Sequence, residues 1–207
     1  MKTPPFYFIE NDTDTFLIAD HLLKCRSVLD GMKDKEPYRK VLIEAGNKGR
    51  SSGAHRMAFA FYNTAIELAD HDTEWEGDDN YNVTLHLYTN AVSLSWVVGQ
   101  YERTEELLDI IFAHARTPFD RMPAYRVQSK YCFSCQMHDK GREVLHRCLE
   151  DLGEDMEKFN SCTDQELKEL YDDLERTVVE MGSEQVINMP ACEDPLLRGI
   201  VSIMEEL

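Results

Sequence analysis

Apolar residues return every three or four positions along most of this chain and hardly anywhere alternate with polar ones. That is the pattern of helices burying one face. In residues 16–29 the apolar set is Phe16, Leu17, Ala19, Leu22, Leu23, Val28 and Leu29, with Asp14 placed to cap a helix and Gly31 to stop it. Tyr38, Leu42, Ile43 and Ala45 mark a second helix. Ala58, Phe61, Tyr62 and Ala65 give one side of a third over 57–68. A polar, acidic loop with Trp75 in it follows over 71–80. Residues 83–98 then read as a long apolar helix stopped by Gly99. Leu107, Leu108, Ile110, Ile111 and Ala115 line the next helix, which Thr117-Pro118 breaks. Helices are predicted over 118–137 and 142–152, the second closed by Gly153. Thr163 and Glu166 form a capping box for a helix running to Met181, with Gly182 as its stop. Asp194-Pro195 opens a last helix whose Leu197, Ile200, Val201, Met204 and Leu207 stay apolar to the end. This predicts an uncovered face, self-association or docking, and truncation of a longer chain.

Small residues recur inside this pattern where two helices must touch. Leu42, Ala45, Gly46, Gly53, Ala58, Tyr62 and Ala65 have counterparts in Tyr88, Ala91, Val92, Gly99, Tyr101, Leu108 and Ile111. A weaker copy runs Tyr125, Ser129, Cys132, Gly141, Leu145, Cys148. Starting from Arg39, Leu85 and Met122, the copies lie 46 and 37 residues apart, and the acidic Trp75 loop fills the longer gap. The spacing is that of tetratricopeptide-type helix pairs, whose repeat is about 34 residues long. Gly46 and Ala58 are expected at the helix contact, and Tyr62 and Ala65 are expected to face the next pair. The predicted fold is all-α: a tetratricopeptide-like array of antiparallel helix pairs, a right-handed α-solenoid, with no sheet. Its expected divisions are a divergent segment 1–12, the array 13–153, and C-terminal helices 154–207 that begin a continuation.

Composition narrows the partners. Hydrophobic residues make up 43% of the 207, enough for a core. Against 22 Lys and Arg stand 39 Asp and Glu, a net charge of -17 that repels phosphate backbones and anionic membranes. Nucleic acid and membrane are therefore not expected as partners. No signal peptide is expected from residues 1–10, which are neither basic nor followed by an apolar run, and no apolar run is long enough for a membrane span. Its six cysteines are scattered through helices, which predicts reduced thiols and a cytoplasmic protein.

Chemistry-bearing patterns are sparse. Cys132, Cys135 and His138 lie at metal-like spacing and define the alternative reading, a helical metal-binding protein or stand-alone enzyme. A fourth ligand would have to come from His146 or Cys148, and structural zinc sites put their Cys pair on a turn, not inside a helix. Residues 46–49 contain two glycines and a lysine but lack the phosphate-binding loop pattern, so helix contact is the better reading. Glu74, Glu76, Asp78 and Asp79 lack the calcium-loop spacing and are expected to be solvated. The seven histidines form no catalytic constellation; Asp20 and His21, adjacent on a helix, do not face each other. No catalytic residue, cofactor or metal is expected.

What remains is the inner face of the array. The first helices of the pairs would present Lys40, Asn47 and Arg50, then His86, Ser93 and Trp96, then Arg126, Lys130 and Phe133. This basic and aromatic set is expected to hold an acidic or carboxylate-ended peptide through ion pairs and stacking.

The order of segments resembles one known family region. The stretches are 16–23 (FLIADHLL), 44–50 (EAGNKGR), 65–68 (AIEL), the Trp75 loop, 84–88 (TLHLY), 99–103 (GQYER), 115–120 (ARTPFD), 149–153 (LEDLG) and 187–190 (INMP) followed by Asp194-Pro195. Together they resemble the helical-repeat region of very large signalling proteins that combine a serine/threonine-kinase-like domain, an AAA-type ATPase, a GAF domain and a histidine kinase. Gly141, where that family has an alanine-like residue, and the divergent N-terminus depart from it. The resemblance implies a non-catalytic scaffold for protein–protein or interdomain contacts, with neighbouring kinase and ATPase domains as partners and homo-oligomerisation open. The kinase, nucleotide-binding and phosphorelay motifs would lie outside this chain.

Overall fold

A computed structural model describes residues 12–70 and 73–207, except for the side chains at 12–14, 159 and 160. Segment 1–12 thus lies outside the described residues but for the backbone of Asp12, as does the capping role expected of the Asp14 side chain. The helical periodicity is realised as helices throughout, and the described residues contain no strand. The chain forms two compact units that divide at Arg116 and Thr117, within the span expected to be one array.

The first unit holds α1 (Asp12–Lys24), α2 (Arg26–Leu29), α3 (Glu36–Ser51), α4 (His55–Glu67), α5 (Asp78–Val97) and α6 (Tyr101–His114). The single helix expected over 16–29 is two, parted at Cys25. α5 begins earlier than expected, because Gly77 turns the chain with φ 68° and Asp78 and Asp79 occupy the first helical turn. Carboxylates there are favoured by the helix dipole. α3 packs on α4, α4 on α5, and α5 on α6.

Three-residue turns join the pairs, and the same hydrogen bonds close each one. After α3, the Gly53 N–H donates to the Arg50 carbonyl at 3.2 Å and the Ala54 N–H to the Gly49 carbonyl at 2.8 Å. After α5, Gly99 donates to Trp96 at 3.1 Å and Gln100 to Ser95 at 2.8 Å. In the second unit, Gln136 donates to Phe133 at 3.0 Å and Met137 to Cys132 at 2.9 Å, between α7 (Pro118–Ser134) and α8 (His138–Asp151). This is the Schellman closure, which needs a left-handed residue at its centre. That residue is Gly53 (φ 78°), Gly99 (φ 81°) and Gln136 (φ 61°). So short a turn folds the second helix back antiparallel to the first.

The buried contacts within each pair repeat in the same register. Gly46 faces the ring of Tyr62, which a Cβ at 46 would overlap. A Cβ at Gly49 would stand 3.1 Å from the Ala58 Cβ. The corresponding positions in the second pair are Ser95 and Thr104, whose hydroxyls share a hydrogen bond of 2.9 Å. In the third they are Cys132 and Gly141, both buried. Tyr62 therefore packs against α3 of its own pair, and its hydroxyl donates to Asn47 Oδ1 at 2.6 Å. Interiors packed this closely lose about 1–3 kcal/mol when a side chain is enlarged.

The second unit comprises α7, α8, α9 (Met156–Asn160), α10 (Asp164–Ile187) and α11 (Pro195–Met204). Thr117 and Asp120 cap α7 reciprocally, and Thr163 and Glu166 do the same for α10. α11 packs against both α7 and α8, burying Ile200 and Ile203 beside Leu145, Cys148 and Leu149. This covers part of the face expected to stay bare, at Ile200, while Leu197, Val201 and Leu207 of that set remain exposed. The uncovered helix is α10, which buries none of its residues. Gly182, the expected stop, has φ 74° and ψ 155° and interrupts it. No helix among the described residues is long and apolar enough to cross a membrane.

Candidate functional site

A groove of about 1000 Å³ runs in the first unit along α3, the chain after α4 and the start of α5. Ile43, Leu68, Ala69 and Val83 give it an apolar floor, and Asn47, Asn80 and Thr84 add neutral polar groups. Of the nine residues expected on the inner face, this groove brings together Lys40 and Asn47. Lys40 is exposed and stands 3.8 Å from Glu36. Arg50, His86, Ser93 and Trp96 do not line it. His86 shares a hydrogen bond with Asn90 at 2.9 Å, and Ser93 donates to the Thr89 carbonyl of its own helix at 2.9 Å.

The lining also changes the expected charge. Lys33, Lys35, Arg39 and Lys40 are accompanied by Asp34, Glu36, Glu44, Asp70, Glu74 and Asp79. A basic cleft is therefore not what α3 and α5 build; the rim carries both signs.

Two lining residues absent from the expected set organise the wall. Arg39 is buried: its Nε donates to the Ala65 carbonyl at 3.0 Å and its Nη1 to Glu36 at 3.1 Å. Its Nη2 lies 4.0 Å from Glu74 Oε2. The Glu74 side chain is only 3% exposed, which corrects the expected solvation for that residue; Glu76, Asp78 and Asp79 are exposed. The Tyr88 hydroxyl donates to Glu74 Oε1 at 3.0 Å, and the Thr84 hydroxyl donates to the Glu74 carbonyl at 2.8 Å. Burial, reinforced by the Glu74 carboxylate, pushes the Tyr88 phenol well above its ordinary pKa. Removing one partner from such a buried set leaves the other charge uncompensated, at a cost of about 3–5 kcal/mol. The one sequence signal was Arg39 itself, a charged residue where the later copies carry Leu85 and Met122.

Aromatic and cationic contacts hold the loop against the unit. The Trp75 ring stacks on His114 at 4.7 Å and lies 5.2 Å from the ring of Tyr88. Arg116 sits 4.0 Å over the Tyr81 ring and donates to the Trp75 carbonyl at 3.1 Å and to Asp78 at 2.9 Å.

In the second unit the three expected inner-face residues are engaged internally. Phe133 covers Gly141, where an added Cβ would meet its ring at 2.5 Å. Arg126 donates to Glu206 Oε1 at 2.7 Å and to Ser202 Oγ at 2.9 Å, and Lys130 stands 3.7 Å from Glu206. Basic residues read as a peptide cradle thus hold the acidic end of α11. Arg121 also grips Asp151 through two bonds of 2.6 and 2.9 Å.

The alternative metal cluster is not assembled. Cys132 is buried in α7, whereas Cys135 and His138 are exposed on the turn into α8. The described residues contain no group of three or more His, Cys, Asp or Glu side chains placed to hold a metal ion. Residues 46–49 lie within α3, where Lys48 donates to Thr15 Oγ1 at 3.0 Å and pairs with Glu44 at 2.8 Å. Comparison with family models, with curated proteins and with solved structures finds no match to this chain.

Proposed function

We propose that this chain is a non-catalytic scaffold of tetratricopeptide-like helix pairs that binds a segment of another polypeptide along the α3–α5 groove. The observation that carries this reading is the groove's composition: an apolar floor of Ile43, Leu68 and Val83 under a rim of both charges. Ten charged residues surround the four apolar ones, so the strip would supply contact area and the rim charges would set orientation and selectivity. The shared register of the within-pair contacts, Gly49 with Ala58, Ser95 with Thr104 and Cys132 with Gly141, supports reading the three pairs as repeats. The motif order resembling the repeat region of multidomain signalling kinases supports an interdomain role, with kinase and ATPase modules as the neighbours.

Selection of short displayed peptides on the full chain tests this. Peptides selected by the wild type should lose roughly tenfold or more in affinity, about 1.4 kcal/mol, when Lys40→Glu and Val83→Glu are combined. Failure to select any peptide, or selected peptides indifferent to this double substitution, would remove the groove from the proposal.

A further inference from the structure

α10 leaves an apolar stripe bare. Leu167, Leu170, Tyr171, Leu174 and Val178 recur at helical spacing (i, i+3, i+4, i+7, i+11), and their exposures are 56%, 64%, 69%, 61% and 44%. At about 100° per residue they fall on one face of the straight stretch ending before Gly182. A helix solvated on all sides is ordinarily polar all round, so this face is built for a partner.

Charge selects the partner. One edge of the stripe is a column of carboxylates at seven-residue intervals, Glu166, Asp173 and Glu180; the other carries Lys168 and Glu175. From Asp164 to Ile187 there are eight acidic residues (Asp164, Glu166, Glu169, Asp172, Asp173, Glu175, Glu180, Glu184) against Lys168 and Arg176. The difference is 8 − 2, a net charge of −6 on one helix. A second copy would set this charge against itself, and residues flanking a helix–helix seam set partner choice by their charge. The same field repels anionic membranes.

We infer that the Leu167–Val178 face of α10 docks a basic amphipathic helix of a partner protein, its leucines on the stripe and its lysines or arginines on the carboxylate column. This rests on the scaffold reading but not on the α3–α5 groove. The test uses the full chain and two synthetic amphipathic peptides with identical heptad leucines, one flanked by lysines and one by glutamates. The lysine peptide should bind, and Leu170→Ser with Leu174→Ser, which leaves the net charge unchanged, should weaken it roughly tenfold. Asp173→Lys with Glu180→Lys should move the preference to the glutamate peptide. Equal binding of both peptides, lysine-peptide binding indifferent to the serine substitutions, or no binding overturns the inference. So does a dimer in sedimentation that the serine substitutions dissolve. The groove substitutions Lys40→Glu and Val83→Glu should leave lysine-peptide binding intact, so the two surfaces fail separately.

Discussion

Arg126 and Glu206, 80 residues apart in the chain, meet through a hydrogen bond of 2.7 Å from Nε to Oε1. The contact fastens the end of α11 onto α7, and Ile203 lies beneath it in the core with Leu145 and Cys148. Both side chains keep some exposure, 32% and 21%, so solvent screens the pair. A double-mutant cycle of Arg126→Ala and Glu206→Ala, read by urea denaturation, should give a coupling of about 1 kcal/mol.

The same packing controls thiol access. Cys25, Cys135 and Cys192 are exposed, whereas Cys132 and Cys148 are buried. Thiol reagents should modify the first three rapidly in the native protein. Ile203→Asp, which puts a charge under α11, should bring Cys148 into the fast group and leave Cys132 slow. Mass spectrometry of the labelled sites distinguishes the outcomes.

Alkaline pH should destabilise the fold through buried acids held neutral. Burial first, then the Asp151 carboxylate, pushes the Cys148 thiol up to about 12, and burial also raises Tyr62 and Tyr125. In the unfolded chain the Cys148 thiol loses its proton near pH 9, while the folded chain retains it until about 12. The stabilisation is therefore complete below about pH 9 and is lost as pH rises toward 12. Urea midpoints measured across this window should fall, and Cys148→Ala should flatten part of the fall.

Two glycines in helical pairs predict different losses. Gly46→Ala gains about 0.5–1 kcal/mol of helix propensity but drives a methyl into the Tyr62 ring, which is fully buried and tied to Asn47. Overpacking should win, with a net loss of about 1–2 kcal/mol. Gly141→Ala meets Phe133, a ring that is half-buried rather than fully enclosed, and should cost less than Gly46→Ala. Denaturant midpoints of the two variants order the costs.

Gln136 occupies the left-handed turn position that Gly53 and Gly99 fill in the other pairs. A side chain costs about 1–2 kcal/mol in that conformation. After the extra unfolded-state freedom of glycine is subtracted, Gln136→Gly should stabilise the protein by about 0.5–1 kcal/mol. A midpoint that stays or falls would mean the side chain is worth more than its strain.

Most of the helices and two of the three turns could be read from the chain because their causes are local; the helix over 16–29 is two, and the counterpart of Ala58 in the second pair is Thr104 rather than Tyr101. Periodicity marks a helix wherever one face is buried, and glycine marks a left-handed turn wherever no other residue is used. Gln136 concealed the third turn for that reason. The capping box at Thr163 and the helix start at Asp194-Pro195 were equally local, since a cap needs only its own next three residues.

What the folded arrangement decided is which faces and charges find partners. α10 and α11 are both amphipathic on paper, yet α11 buries Ile200 and Ile203 while α10 remains solvated. Periodicity says that a helix has an apolar face, not which surface lies within reach of it. Glu74 looked like part of a solvated acidic run until Arg39, Thr84 and Tyr88 closed around it. Arg126 and Lys130 looked like a cradle for a foreign peptide, and Glu206 of the same chain already sits between them. Local pattern chose the elements; burial and pairing depend on contacts between residues far apart in the chain, which spacing does not encode.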